Sequence, residues 1–156
     1  MTIAALTPPA PPDTASTRTH RLSTANRDTA AREVRSMVCA LLGATGHAGL
    51  TESAALCVSE VVGNVHRHTR SPFVHVVVTL AEGYVVIHVH DAEPQKEPWA
   101  RELTEVRQLA DVPVGGYGLC ILQQLTDGWG VTRYGGMFPE SKAVWFRLDD
   151  GGRGAA

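Results

Sequence analysis

Glu52-Ser53-Ala54-Ala55-Leu56-Cys57-Val58-Ser59-Glu60-Val61-Val62-Gly63-Asn64-Val65-His66-Arg67-His68-Thr69-Arg70 carries two stripes at helical spacing. Ala55, Val58, Val61, Val62 and Val65 form an apolar stripe that needs a core to cover it. Glu60, Asn64 and His68 are four residues apart and form a polar row on a neighbouring face. A carboxylate one turn before a neutral amide gives no helix ion pair, as Lys or Arg at position 64 would. Two oxygen donors on one face suit a hard cation and the phosphates it carries, although a solvated helix face explains the same pattern.

Working outward, Ala30, Val34, Met37, Val38, Leu41 and Leu42 predict a helix over about Asn26 to Leu42, ended by Gly43 and Gly46. Thr51 is the expected N-cap of the organising helix, and Ser71-Pro72 its expected limit. Thr17–Leu22 reads as a short edge strand. Residues 1–16, rich in proline, alanine and threonine, read as a disordered tail.

Downstream, Phe73–Ala81 and Tyr84–Asp91 are strands joined by the two-residue turn Glu82-Gly83. The turn places Ala81 opposite Tyr84, Leu80 opposite Val85, Val78 opposite Ile87, Val76 opposite Val89 and Val74 opposite Asp91. Val74, Val76, Val78, Leu80, Val85, Ile87 and Val89 therefore share one face, the buried one. Asp91 ends that row, where a carboxylate is costly without a backbone cap or a ligand. The opposite face carries Phe73, His75, Val77, Thr79, Val86, His88 and His90. Its histidines read as half-exposed sheet residues rather than a metal site, since no acid or cysteine completes a ligand set. Residues 92–114 lack periodicity and have the length of a lid or binding loop. Gly115-Gly116-Tyr117-Gly118-Leu119 then opens a helix over Cys120–Gly128, and glycines there let backbone N–H groups approach an anion. Trp129–Tyr134 and Ala143–Asp149 are the closing strands, with a turn at Gly135-Gly136, and residues 150–156 are a Gly-rich tail.

Composition narrows the possible classes. A chain of 156 residues with 44% hydrophobic residues suits one domain, and a net charge of -2 offers no electrostatic case for nucleic acid. No apolar run is long enough to span a bilayer, and the start lacks a secretory pattern, so a cytoplasmic protein is expected. Cys39, Cys57 and Cys120 read as reduced core thiols.

The order of these pieces resembles the GHKL (Bergerat-fold) ATP-binding domains, and within them the small regulators related to the anti-sigma-factor serine/threonine kinases of actinobacteria. Val58 to His68 resembles their first box. Gly115-Gly116-Tyr117-Gly118-Leu119 with Leu125-Thr126-Asp127-Gly128-Trp129-Gly130-Val131 resembles the last, and Lys142-Ala143-Val144-Trp145-Phe146 the closing strand. The resemblance covers roughly residues 18–149. It implies an α+β two-layer sandwich, a mixed, mostly antiparallel sheet with helices on one face, residues 17–149 forming the domain and 92–114 its lid. It implies ATP and Mg2+ as cofactors. Asn64 would be the magnesium ligand, and Glu60 the group polarising an attacking hydroxyl. Asp91 would accept from the adenine amino group. Gly116, Gly118 and Leu119 would offer backbone to phosphates, with His68 at the site floor.

The implied partners are a sigma factor and a small antagonist protein, the latter phosphorylated on serine. The Phe73/Val77/Val86 face is a possible homodimer surface. Two departures stand out: Asp91-Ala92-Glu93-Pro94-Gln95 lacks both glycines of the usual middle box, and Ala143 stands where the family often has a hydroxyl supporting the aspartate. A protein-contact regulator without turnover is therefore the alternative reading.

Overall fold

Gly83, at φ 84°, closes the turn that sets the sheet. In the computed structural model, which describes residues 17–95, 118–137 and 140–151, this turn joins Phe73–Ala81 (β2) to Tyr84–Asp91 (β3). Their register runs from Ala81 with Tyr84 through Val78 with Ile87 to His75 with His90, as the sequence requires. Arg18–Ala25 (β1) is the edge strand beside β2, and it runs three residues past the expected end at Leu22. Ser141–Asp149 (β5) pairs with β3, and Gly128–Tyr134 (β4) closes the far edge, giving the order β1-β2-β3-β5-β4. Every pairing is antiparallel, so the described sheet is not mixed. Gly135 and Gly136, at φ 113° and 63°, make the β4–β5 turn.

Three helices lie on the face that bears Val74, Val76, Val78, Val85, Ile87 and Val89: Ala30–Ala44 (α1), Thr51–His68 (α2) and Gly118–Leu125 (α3). Val34, Val38 and Leu42 of α1, Val58 and Val62 of α2, and Leu122 of α3 meet this row and Phe146 of β5 in one core. Each such side chain contributes about 1.5–3 kcal/mol on burial.

The local starts differ from the sequence expectations. Asn26 does not begin a helix: its N–H donates to the Pro72 carbonyl and its side-chain Nδ2 to the Ser71 carbonyl, at 3.0 and 2.7 Å. Thr24 and Thr29 hydroxyls instead converge on the Glu33 carboxylate in the first turn of α1. Those bonds hold the Glu33 carboxyl below its usual range. Thr51 is not a cap either. A 3-10 turn, Ala48–Leu50, runs into α2, and the Thr51 hydroxyl donates backward to the Ala48 carbonyl at 2.8 Å.

The outer face of the sheet is more closed than its sequence suggests. Val86 is buried, so the exposed apolar surface expected there reduces largely to Phe73, 53% exposed. Trp145 is buried on this side across Gly130, and a Cβ at Gly130 would lie 2.9 Å from the indole. His88 stacks beside His90, and His90 lies 5.4 Å, centroid to centroid, from the Tyr134 ring. Ser23 and the His75 ring share a 2.7 Å hydrogen bond. Among the described residues no cluster of His, Cys, Asp or Glu is placed to hold a metal. Cys39, Cys57 and Cys120 are all free thiols, the last two buried.

Candidate nucleotide site

The polar row of α2 is real, and it is occupied. The Arg67 guanidinium folds back along the helix and lies over Gly63, where an added Cβ would meet Nη1 at 3.0 Å. From there Nη2 donates to the Asn64 side-chain oxygen at 2.8 Å and sits 4.0 Å from a Glu60 carboxylate oxygen. Positions 60, 63, 64 and 67 fall on one helical face, so the arrangement follows from spacing alone. Glu60 and Asn64 are half-buried and His68 exposed. Below them Cys57 is fully buried, and its thiol is pushed up to about 12, first by burial and then by the Glu60 charge. It is a core group and no nucleophile.

The link after α2 ties this helix to the end of β3. Thr69 stops the helix with its hydroxyl on the Val65 carbonyl. The Ala92 N–H donates to the Ser71 hydroxyl at 2.9 Å, and the Arg70 N–H donates to the Glu93 carboxylate. Glu93, which replaces a glycine of the family pattern, is therefore drawn to the C-terminal end of α2. Asp91 faces the helix layer in the same row as Val85, Ile87 and Val89. Its neighbours bring it to the end of the molecule where α2 finishes, some four residues or roughly 6 Å of helix beyond Asn64.

One oxygen of Asp91, Oδ1, is already engaged. Lys142, its direct partner in the β3–β5 register, donates from Nζ to Oδ1 at 2.8 Å and to the Glu93 carbonyl at 2.7 Å. The Glu93 N–H donates to the same Oδ1 at 2.8 Å. Asp91 and Lys142 are 4% and 3% exposed, so the pair is a buried ion pair. The residue facing Asp91 is thus Lys142. Ala143 lies opposite His90 on the outer side, and the expectation that Ala143 occupies the supporting position is corrected. Gly118 opens α3, which packs against α2. Gly116 and most of the expected lid, from residue 96 onward, lie outside the described residues, as does the side chain of Leu119.

A profile described as the histidine kinase-like ATPase domain matches residues 24–147. The chain belongs to this family. One solved structure, titled as the RsbU and RsbW domains of Rv1364c from Mycobacterium tuberculosis, superposes with a TM-score of 0.57 at 17% identity. The match covers 85% of this chain and 32% of that one, so it speaks for the fold of one part of a larger protein. No curated protein matches.

The family implies a nucleotide, in general with magnesium, and the two halves of the site answer differently. Asn64 and Glu60 present oxygen donors side by side, the donor set a phosphate-borne cation takes. That half fits, with Arg67 holding the same groups. In the base half Asp91 gives one oxygen, Oδ1, to Lys142 and the Glu93 N–H, which leaves Oδ2 as the acceptor facing a base. Arg67 and Lys142 were the residues sequence reasoning missed. Arg67 was legible from its i+3 spacing to Asn64, and Lys142 from the pairing of β5 had that strand been started at Ser141.

Proposed function

We propose that this chain is a nucleotide-binding regulator of the anti-sigma-factor kinase type. The observation that carries the reading is the juxtaposition of Glu60 and Asn64 on the α2 face within the family fold. Asn64 would hold magnesium through its side-chain oxygen. Glu60 would polarise the serine hydroxyl of a small antagonist protein and accept its proton. ATP, when bound, supplies the phosphoryl group, and positioning with charge stabilisation is most of what such transfer needs from a protein. Gly116, Gly118 and Leu119 would offer backbone to the phosphates, residues 92–114 would cover them, and a sigma factor would be the second partner.

A second reading is favoured by one specific contact, the Asp91–Lys142 ion pair: the fold persists as a protein-binding regulator without turnover. Calorimetry with a non-hydrolysable ATP analogue and magnesium separates the two. The first reading expects saturable, magnesium-dependent binding that Asn64→Ala weakens, followed by radiolabel transfer to an antagonist that Glu60→Ala abolishes. Absence of saturable binding would refute the nucleotide-binding reading, and binding without transfer leaves the second.

A further inference from the structure

We propose that the groove on the outer face of the sheet binds an extended, acidic segment of a partner protein, which adds to the edge of β1 and sets a carboxylate among Arg21, His75 and His90. The groove holds about 500 Å3 and lies on the side of the sheet away from the helices. Arg21 and Ser23 of β1 form its wall, His75, Val77 and His90 its floor, and Phe73, 53% exposed, its rim. Across the strands Phe73 faces Ala25, which is too small to cover the ring. Of the ionisable residues lining the groove only Asp91 is acidic, and its side chain is turned to the helix layer, where Oδ1 meets Lys142. Among the described residues Arg21 is exposed and paired with no acid. After burial, the charges of His75 and Arg21 disfavour a proton on His90, while Asp91 opposes them. A carboxylate placed among the three basic groups reverses that repulsion and accepts charge-assisted hydrogen bonds.

Charge and the strand edge together select the occupant. A second copy docked by two-fold symmetry brings the same patch into its own interface, here basic against basic, which disfavours a homodimer through this groove. One permanent cation is too few for a nucleic-acid backbone, which takes several phosphate contacts. β1 is the outermost strand, and among the described residues no strand pairs with its other edge, so its outward N–H and C=O groups are there to be paired. Side chains of an added strand alternate, so every second residue stands over the outer face. An apolar side chain opposite Ala25 reaches Phe73, and an acidic one two residues away stands beside Ser23, within reach of Arg21. This contact stands whether or not the α2 face binds a nucleotide.

The test is an NMR titration of the isotope-labelled full chain with the blocked peptide Glu-Thr-Phe-Thr-Glu, symmetric so that either strand direction puts an acid two residues from the aromatic. Its counterparts carry Gln or Lys in place of both Glu. The expected result is saturable movement of the Arg21, Ser23, His75 and His90 amide signals, with the Gln peptide weaker by about fivefold or more. Arg21→Glu should reverse the preference, binding the Lys peptide more tightly than the Glu peptide. A loss below about fivefold with the Gln peptide overturns the proposal, because the groove then does not read charge. Absence of saturable movement, or movement confined to the helix layer, overturns it as well. Should the same signals move with protein concentration alone, a second copy fills the groove and the proposal falls. Should Arg21→Glu fail to fold, the wild-type comparison of Glu and Gln peptides decides alone.

Discussion

At the scale of single residues, two cations decide what this site can do, and they differ in burial. The Lys142–Asp91 pair is sealed from water, so removing one partner leaves the other uncompensated. Lys142→Met is expected to cost about 3–5 kcal/mol of folding stability, whereas Asp91→Leu with Lys142→Met should recover most of that loss, since a well-packed apolar pair often equals a buried ion pair. Urea unfolding of the two variants checks this; equal losses would show that the pair is not what the end of the sheet depends on. Arg67 is more than a third exposed, and its contact with Glu60 is long. Removing it should change stability by only about 0–1 kcal/mol. Its effect belongs to the cation instead. A guanidinium already engaging the Asn64 oxygen opposes a second positive charge, by about 1 kcal/mol at 4 Å in a water-like medium. Arg67→Ala should therefore lower, several-fold, the magnesium concentration needed for half-maximal binding of the ATP analogue. An unchanged or raised requirement would show that Arg67 serves the phosphates rather than competing with the metal.

Among the elements, the hairpin was the most legible because its turn chemistry and its alternation specify one register and agree with each other. The polar row of α2 was legible for a similar reason, since helical spacing is fixed whatever packs nearby. What the sequence hid were the contacts made across elements. Asn26 is taken by the Ser71 and Pro72 carbonyls, Thr51 bonds backward instead of capping, and Lys142 meets Asp91 only through strand pairing. The partners of Asn26 and Lys142 lie far away along the chain, so local periodicity carries no trace of them, whereas Thr51 turns back three residues to Ala48. The β4–β5 pair shows the same limit. Gly130 reads as part of a family box, yet its structural duty is to leave room for the Trp145 ring. Gly130→Val should overpack that contact and cost about 1–3 kcal/mol, measurable as a lowered urea midpoint with the same slope. A neutral outcome would mean the indole has another place to lie.

For the whole molecule, the two sides of the sheet face different solvents: one a helix-covered core, the other a thin layer of histidines and aromatics. That second side makes folding sensitive to acid. Burial, helped by the charge of His90, pushes His88 down to about 4 from an ordinary value of 6.5. His90 is lowered by burial first and then by His75, with Arg21 adding to the effect and Asp91 opposing it. The other groups at this layer are Tyr134, whose ring lies against His90, and Trp145, across from His88 in the β3–β5 register. Neither supplies a negative charge to hold a protonated ring. In the unfolded chain both histidines take a proton near pH 6.5, whereas folded His88 waits until about pH 4. Between those values the unfolded state binds more protons, so its free energy falls relative to the folded state as the pH drops. The contribution is complete above pH 6.5 and is lost progressively as the solution is acidified toward 4. Equilibrium urea unfolding at pH 7, 6 and 5 should show declining stability, and His88→Thr should flatten part of that slope over the same interval. Identical slopes in the two proteins would assign the acid sensitivity to groups other than this histidine layer.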